Sequence, residues 1–145
     1  MTSSTDPAGL HPDAPNPGRL PIPVDPPTML RSPAFAQAMI APAGRTLYVG
    51  GQNGIDGSGT LLDGLRAQTE QALRNVLTVL DAAGTDADHV VKLTIFLAAG
   101  EDPTEGYAAA ASVWGAHRTA VTVVAVTPAR PGVLVEIDAI ATIPE

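Results

Sequence analysis

Between residues 63 and 83, Leu65, Thr69, Ala72, Leu73, Val76 and Leu80 recur at three- and four-residue steps. That spacing gathers side chains onto one stripe of an α-helix. Asp63 stands where an N-cap would open the helix, and Gly84 where a left-handed C-terminal cap would close it. The period then changes. Over residues 90–97, Val91, Leu93, Ile95 and Leu97 alternate with Lys92, Thr94 and Phe96, which predicts a strand. Helical spacing returns in the Ala-rich segment 104–115, with Tyr107, Ala111 and Trp114 on one face. Residues 119–126 and 133–142 read as two more strands joined by a turn through residues 128–132. Upstream, the apolar runs 34–41 and 46–51 flank Pro42-Ala43-Gly44-Arg45 and read as a hairpin. The order strand, strand, helix, strand, helix, strand, strand predicts an α+β domain in which two helices cover one face of a mixed sheet. The bare face of so aliphatic a sheet is expected to meet partner subunits.

The pattern starts only at residue 34. Most of the 14 prolines fall within residues 1–33, where neither a period of 2 nor one of 3.6 is visible. This stretch reads as an extended Pro-rich arm, partly disordered, that packs on the domain or on a neighbouring subunit, with residues 34–145 as the domain proper. At 145 residues the chain is sized for one such domain. No basic segment leads into an apolar run as in a signal peptide, and no apolar run reaches the length of a membrane span, so a cytoplasmic location is expected.

Composition narrows the chemistry. There is no cysteine, which excludes disulfides, thiolate nucleophiles and Cys-ligated metals. A net charge of −7 and a single lysine, Lys92, argue against nucleic-acid binding, which rests on Lys and Arg neutralising phosphates. Aromatics are only 3% of residues, so the core must be aliphatic and stacking platforms for single strands are wanting. His11, His89 and His117 have no metal-ligand spacing, so no metal site is expected, and no strand–Ser–helix elbow supports a serine nucleophile. The Gly-rich loop from Gly51 to Gly59 lacks the Gly-Lys-Ser/Thr ending of a phosphate loop. What remains is Arg118, at the mouth of a strand, and the pair Glu136 and Asp138 on the last strand. Period 2 puts these acids on one face with Leu134 and Ile140. They either face solvent or stand in a cleft with Arg118, where a guanidinium grips a ligand carboxylate and a carboxylate positions water. Periodicity does not decide between the two.

The residues also carry a family resemblance. Phe35-Ala36-Gln37-Ala38 resembles an early Tyr-Ser-Gln-Ala motif, and Val49-Gly50-Gly51-Gln52 resembles a Val-Ser-Gly-Gln strand end. His117-Arg118-Thr119-Ala120-Val121 is similar to an Ala-Arg-Ser/Thr-Ala-Val segment, and Val135-Glu136-Ile137-Asp138-Ala139-Ile140-Ala141 to a terminal Glu-Ile-Glu-Ala-Ile-Ala signature. With the helix end 79–84 and the strand 88–97, these identify residues 34–143 as similar to the RidA family, also called YjgF and often labelled endoribonuclease L-PSP. The resemblance implies a chorismate-mutase-like fold and a homotrimer with clefts between subunits. It also implies cofactor-free hydrolysis of imines and enamines to 2-keto acids and ammonia. Arg118 would then clamp the substrate carboxylate and Glu136 would orient the water, with Gly50, Gly51, Gln52, Phe35 and Ala111 lining the substrate site.

Three departures accompany the matches. Gly50 stands at the family's Ser, Phe35 at its Tyr and Ala111 at its Asn. A cleft so altered is roomier and less polar. It suits a deaminase with shifted substrate preference or, alternatively, a non-catalytic trimer that binds small carboxylates or 2-keto acids.

Overall fold

In the computed structural model, which describes residues 19–145, the apolar stripe of the first helix meets a four-stranded sheet. The elements in chain order are β1 (Ile22–Val24), β2 (Ala38–Ile40), β3 (Arg45–Asn53), α1 (Leu65–Ala82), β4 (Val90–Ala98), α2 (Pro103–Trp114), β5 (Ala120–Val126) and β6 (Val135–Ile143). The main sheet has the order β3-β6-β4-β5, with β4 and β5 parallel and the other neighbours antiparallel. Both helices lie on one face, so the α+β architecture expected from the pattern is the one observed. Leu65, Ala72, Leu73, Val76 and Leu80 of α1 are buried with Leu93 and Leu97 of β4, and with Val135, Ile137, Ala139 and Ala141 of β6. The core is accordingly aliphatic, with Trp114 its one large ring.

Several expectations are corrected. Residues 34–41 and 46–51 do not form a hairpin. β2 pairs instead with β1, through Ile22↔Ile40 and Val24↔Ala38, and β1 comes from the Pro-rich stretch. Proline-spaced chain shows no period, but an edge strand tolerates it because half of its N–H groups face away from the ladder. Asp63 makes no capping bond. Gly64, at φ 87°, is the N-cap of α1. Gly84 follows the helix at φ 78°, the left-handed conformation expected of it. Asp102, not residue 104, opens α2, its carboxylate accepting from the Thr104 N–H. The ring of His117, past the end of α2, pairs with Asp88 at 2.6 Å.

Gln68 fastens the start of β6. Although its side chain is buried, three hydrogen bonds satisfy both ends of its amide. Nε2 donates to the carbonyls of Leu62 and Gly132, and Oε1 accepts from the Leu134 N–H at 2.8 Å. Gly54 lies against it so tightly that a β-carbon there would sit 2.4 Å from the Gln68 Cα. Among the described residues, no helix is long and apolar enough to cross a membrane.

Candidate functional site

The residues singled out in the sequence separate into three groups. The first gathers at the end of β3. Val49 pairs with Ala139 and Gln52 with Ile137, so Gly50 and Gly51 together oppose the single residue Asp138 of β6. This is a β-bulge, which bends an edge strand and re-aims what lies beside it. Neither glycine has a positive φ. Their uses differ. A β-carbon on Gly51 would lie 1.9 Å from Glu136 Oε1, whereas one on Gly50 would touch nothing within 4 Å. The bare Cα of Gly51 is thus the floor on which the Glu136 side chain rests. Glu136 is half-buried, on the sheet face away from the helices, and forms no hydrogen bond or ion pair with any described residue. Gln52 turns its amide back onto the Gly50 carbonyl at 3.0 Å.

The second group gathers in front of β5. Thr119 donates its hydroxyl to the Val90 carbonyl, and Ala36 donates its N–H to the Thr119 carbonyl, which lays residues 35–36 along the outer edge of the sheet. Arg118 reaches into that segment. Its Nε donates to the Ser32 carbonyl at 3.0 Å, and its Nη2 to the Phe35 carbonyl at 2.9 Å and to Asp25 Oδ2 at 2.8 Å. The Asp25 side chain is only 9% exposed and that of Arg118 20%. Asp25 Oδ1 also accepts the Gln37 N–H. The Arg118 bond, and after it the Gln37 amide, hold the Asp25 carboxyl below its ordinary range. No period or motif in the sequence singles out Asp25. Its flanking residues, Pro23 and Pro26, fix the backbone on either side, and that was the available signal.

Phe35 and Ala111 meet in a third place. Together with Tyr107, Trp114, Leu93 and Val121 they line an apolar cavity of about 180 Å³ under α2. The helical spacing of Tyr107, Ala111 and Trp114 indeed gives them a common surface.

Arg118 and Glu136 do not meet within one chain. Arg118 lies level with Val90, and Glu136 pairs with Phe96 on the same strand β4. The span from residue 90 to residue 96 is roughly 20 Å of extended chain at about 3.3 Å per residue. The Arg118 side chain points further away still, toward residues 25–35 beyond β5. Among the described residues, no three His, Asp or Glu side chains converge as a metal site.

Comparison with known proteins gives one answer. Residues 29–143 match the family described as Endoribonuclease L-PSP. A "RutC family protein" of Pyrococcus horikoshii is 35% identical over 101 residues, covering 68% of this chain and 80% of that protein. The "2-iminobutanoate/2-iminopropanoate deaminase" of Rattus norvegicus is 45% identical over 67 residues, covering 45% of this chain and 47% of the rat protein. The match thus spans about half the length of that relative. Among solved structures, a Yersinia pestis protein of the conserved Rid protein family superposes with a TM-score of 0.77 at 30% identity, covering 86% of this chain and 100% of the other. The matched span carries the bulge at Gly50–Gly51, Arg118 and Glu136 alike, and the chain belongs to the Endoribonuclease L-PSP family, known also as YjgF or RidA.

Proposed function

We propose that the chain is an imine and enamine deaminase. In this reading it hydrolyses reactive 2-imino acids to 2-keto acids and ammonia in clefts between the subunits of a homotrimer, without a cofactor. The observation that carries it is the state of Glu136: a half-buried carboxylate seated on Gly51 with no bonding partner among the described residues. A carboxylate so placed is free to hold a water and take its proton. The water oxygen adds to the C=N carbon, the proton passes to nitrogen, and ammonia leaves as the carbonyl forms. Arg118 supplies the charge-assisted grip on the substrate carboxylate. Since imines of this kind react with water readily, positioning and electrostatics suffice for useful acceleration.

The separation of Arg118 from Glu136 supports an oligomeric site. One small substrate cannot touch both in a single chain, whereas a cyclic assembly brings the β5 edge of one copy to the β3 end of the next. The bare sheet face, with Tyr48 73% exposed on it, offers the surface for such an assembly. The rat relative's name points the same way on activity. The family's ribonuclease label finds little support in a chain of net charge −7.

The test couples an amino-acid oxidase, which generates imino acids from small, branched and aromatic amino acids, to semicarbazide as a trap for the imine that remains. Faster loss of the trapped species with the wild-type chain than with Arg118→Ala is expected. Equal traces across the whole panel would replace the deaminase by the non-catalytic carboxylate-binding trimer.

A further inference from the structure

Arg118 already holds a carboxylate, that of Asp25, and we propose that Asp25 is an intramolecular competitor for the clamp, so that a ligand carboxylate binds only by displacing it. The inference rests on reading Arg118 as the carboxylate clamp.

The guanidinium offers a bidentate grip in two ways, through Nη1 with Nη2 or through Nε with Nη2. Both need Nη2. Its two N–H groups are spent on Asp25 Oδ2 and the Phe35 carbonyl, and Nε is spent on Ser32. A ligand carboxylate therefore finds no free fork while Asp25 is in place. The pose of Asp25 is itself that of a bound carboxylate, one oxygen on the guanidinium and the other on a backbone N–H, that of Gln37.

Displacement calls for a local rearrangement only. Asp25 follows directly on the three-residue strand β1 and precedes a turn in which the Met29 N–H bonds the Pro26 carbonyl. Beyond that turn Leu30 is 77% exposed, and the segment is held by hydrogen bonds from Gln37 Nε2 to the Leu30 carbonyl and from Arg118 Nε to the Ser32 carbonyl. Leaving the clamp costs Asp25 its bonds to Arg118 and Gln37, and no core residue has to move. The apparent affinity for a ligand is then reduced by the fraction of molecules in which Asp25 has vacated Arg118. The consequence is selection by strength. A weak or monodentate anion fails to displace Asp25, while a carboxylate with further contacts in the cleft succeeds.

The experiment is a calorimetric titration of wild type and Asp25→Asn with 2-oxobutanoate, and with its amide as the uncharged control. Asparagine keeps the Gln37 bond through its oxygen and presents N–H to Nη2, a donor facing a donor, which vacates the clamp. The variant is expected to bind 2-oxobutanoate at least tenfold more tightly and the amide unchanged. In the wild type, saturating 2-oxobutanoate is expected to speed hydrogen exchange at the Gln37 amide, because its acceptor leaves. This second reading needs no mutation and decides the matter if Asp25→Asn does not fold. Unchanged or weaker binding by a folded Asp25→Asn, or Gln37 exchange that does not speed up, would make Asp25 a fixed fastening and overturn the proposal. Wild-type binding that Arg118→Ala abolishes and Asp25→Asn fails to improve strikes the competitor alone. Absence of binding by both proteins removes the clamp reading as well.

Discussion

The carboxylate of Glu136 rests on the Cα of Gly51, where a β-carbon would lie 1.9 Å from Oε1 and 2.8 Å from the carboxyl carbon. The close atoms belong to a flexible side chain, and Gly51 has no left-handed φ to protect. Gly51→Ala therefore turns Glu136 aside without breaking the fold. Stability is expected to stay within about 1 kcal/mol of wild type. Imine hydrolysis is expected to fall by roughly a hundredfold, the low end of what a positioned base contributes. Full activity in Gly51→Ala would show that the seat of Glu136 is irrelevant to turnover.

The distance between Arg118 and Glu136 makes a second prediction. If a site takes Arg118 from one copy and Glu136 from its neighbour, Arg118→Ala and Glu136→Gln are each inactive alone yet complement when unfolded together and refolded. In a random equal mixture about a quarter of the sites combine both intact residues, so about a quarter of wild-type activity is expected to return. A mixture as inactive as its components would mean that the two residues do not share a site between copies.

The elements of this fold were legible in the chain because each apolar stripe matches what it packs against. The α1 stripe from Leu65 to Leu80 and the alternation in β4 face the same core. The partners of the short strands were not legible. β2 is only three residues long, and its pairing with β1 rather than β3 depends on a contact across a proline-rich segment that carries no period. The candidate site was legible as a set of residues, Arg118 and Glu136 by their chemistry and Gly51 through the family resemblance. Its division into two ends of a sheet was not, because strand order alone sets which residues lie apart. Asp25 was invisible for a similar reason, as it lies 93 positions from Arg118.

Acid unfolding should report on Asp25. Its carboxyl titrates below the ordinary aspartate value because the folded chain supplies the Arg118 and Gln37 bonds to the charged form. The folded state thus binds the proton less readily than the unfolded chain. The stabilisation is fully present above the unfolded value of about 3.9 and is lost as the pH falls through the lower folded value. Urea unfolding of wild type is expected to lose stability more steeply below about pH 4 than that of Asp25→Asn. Other lowered groups, Asp56 on Ser58 and Asp86 on His89, act alike in both proteins and cancel in the difference. Parallel curves would show that the pair does not form in solution.

Gly50 offers a gain-of-contact test. A β-carbon there meets nothing within 4 Å and the backbone is not left-handed, so Gly50→Ser is expected to change stability by less than about 0.5 kcal/mol. The added hydroxyl lies on the bulge beside Gly51 and supplies a donor that glycine lacks. A net hydrogen bond to a small imine is expected to lower KM about threefold to tenfold. An unchanged KM for the two- to four-carbon imino acids would place the substrate away from the bulge.

Gln68 tests whether the site depends on how β6 is anchored. Its side chain is the link between α1, the Leu62 and Gly132 carbonyls, and the Leu134 N–H that precedes Glu136 on the chain. Replacement by leucine of similar volume leaves those three groups unpaired beside a buried apolar side chain. The expected cost is about 3 kcal/mol, since each orphaned buried group forfeits part of its solvation. Glu136 lies two residues past Leu134, so loss of the anchor also loosens the carboxylate relative to Gly51. Denaturation midpoints measure the first effect, and kcat on a single imine in the fully folded range measures the second. A Gln68→Leu protein with reduced stability but undiminished kcat would separate the two, leaving the Gly51 seat alone to position Glu136.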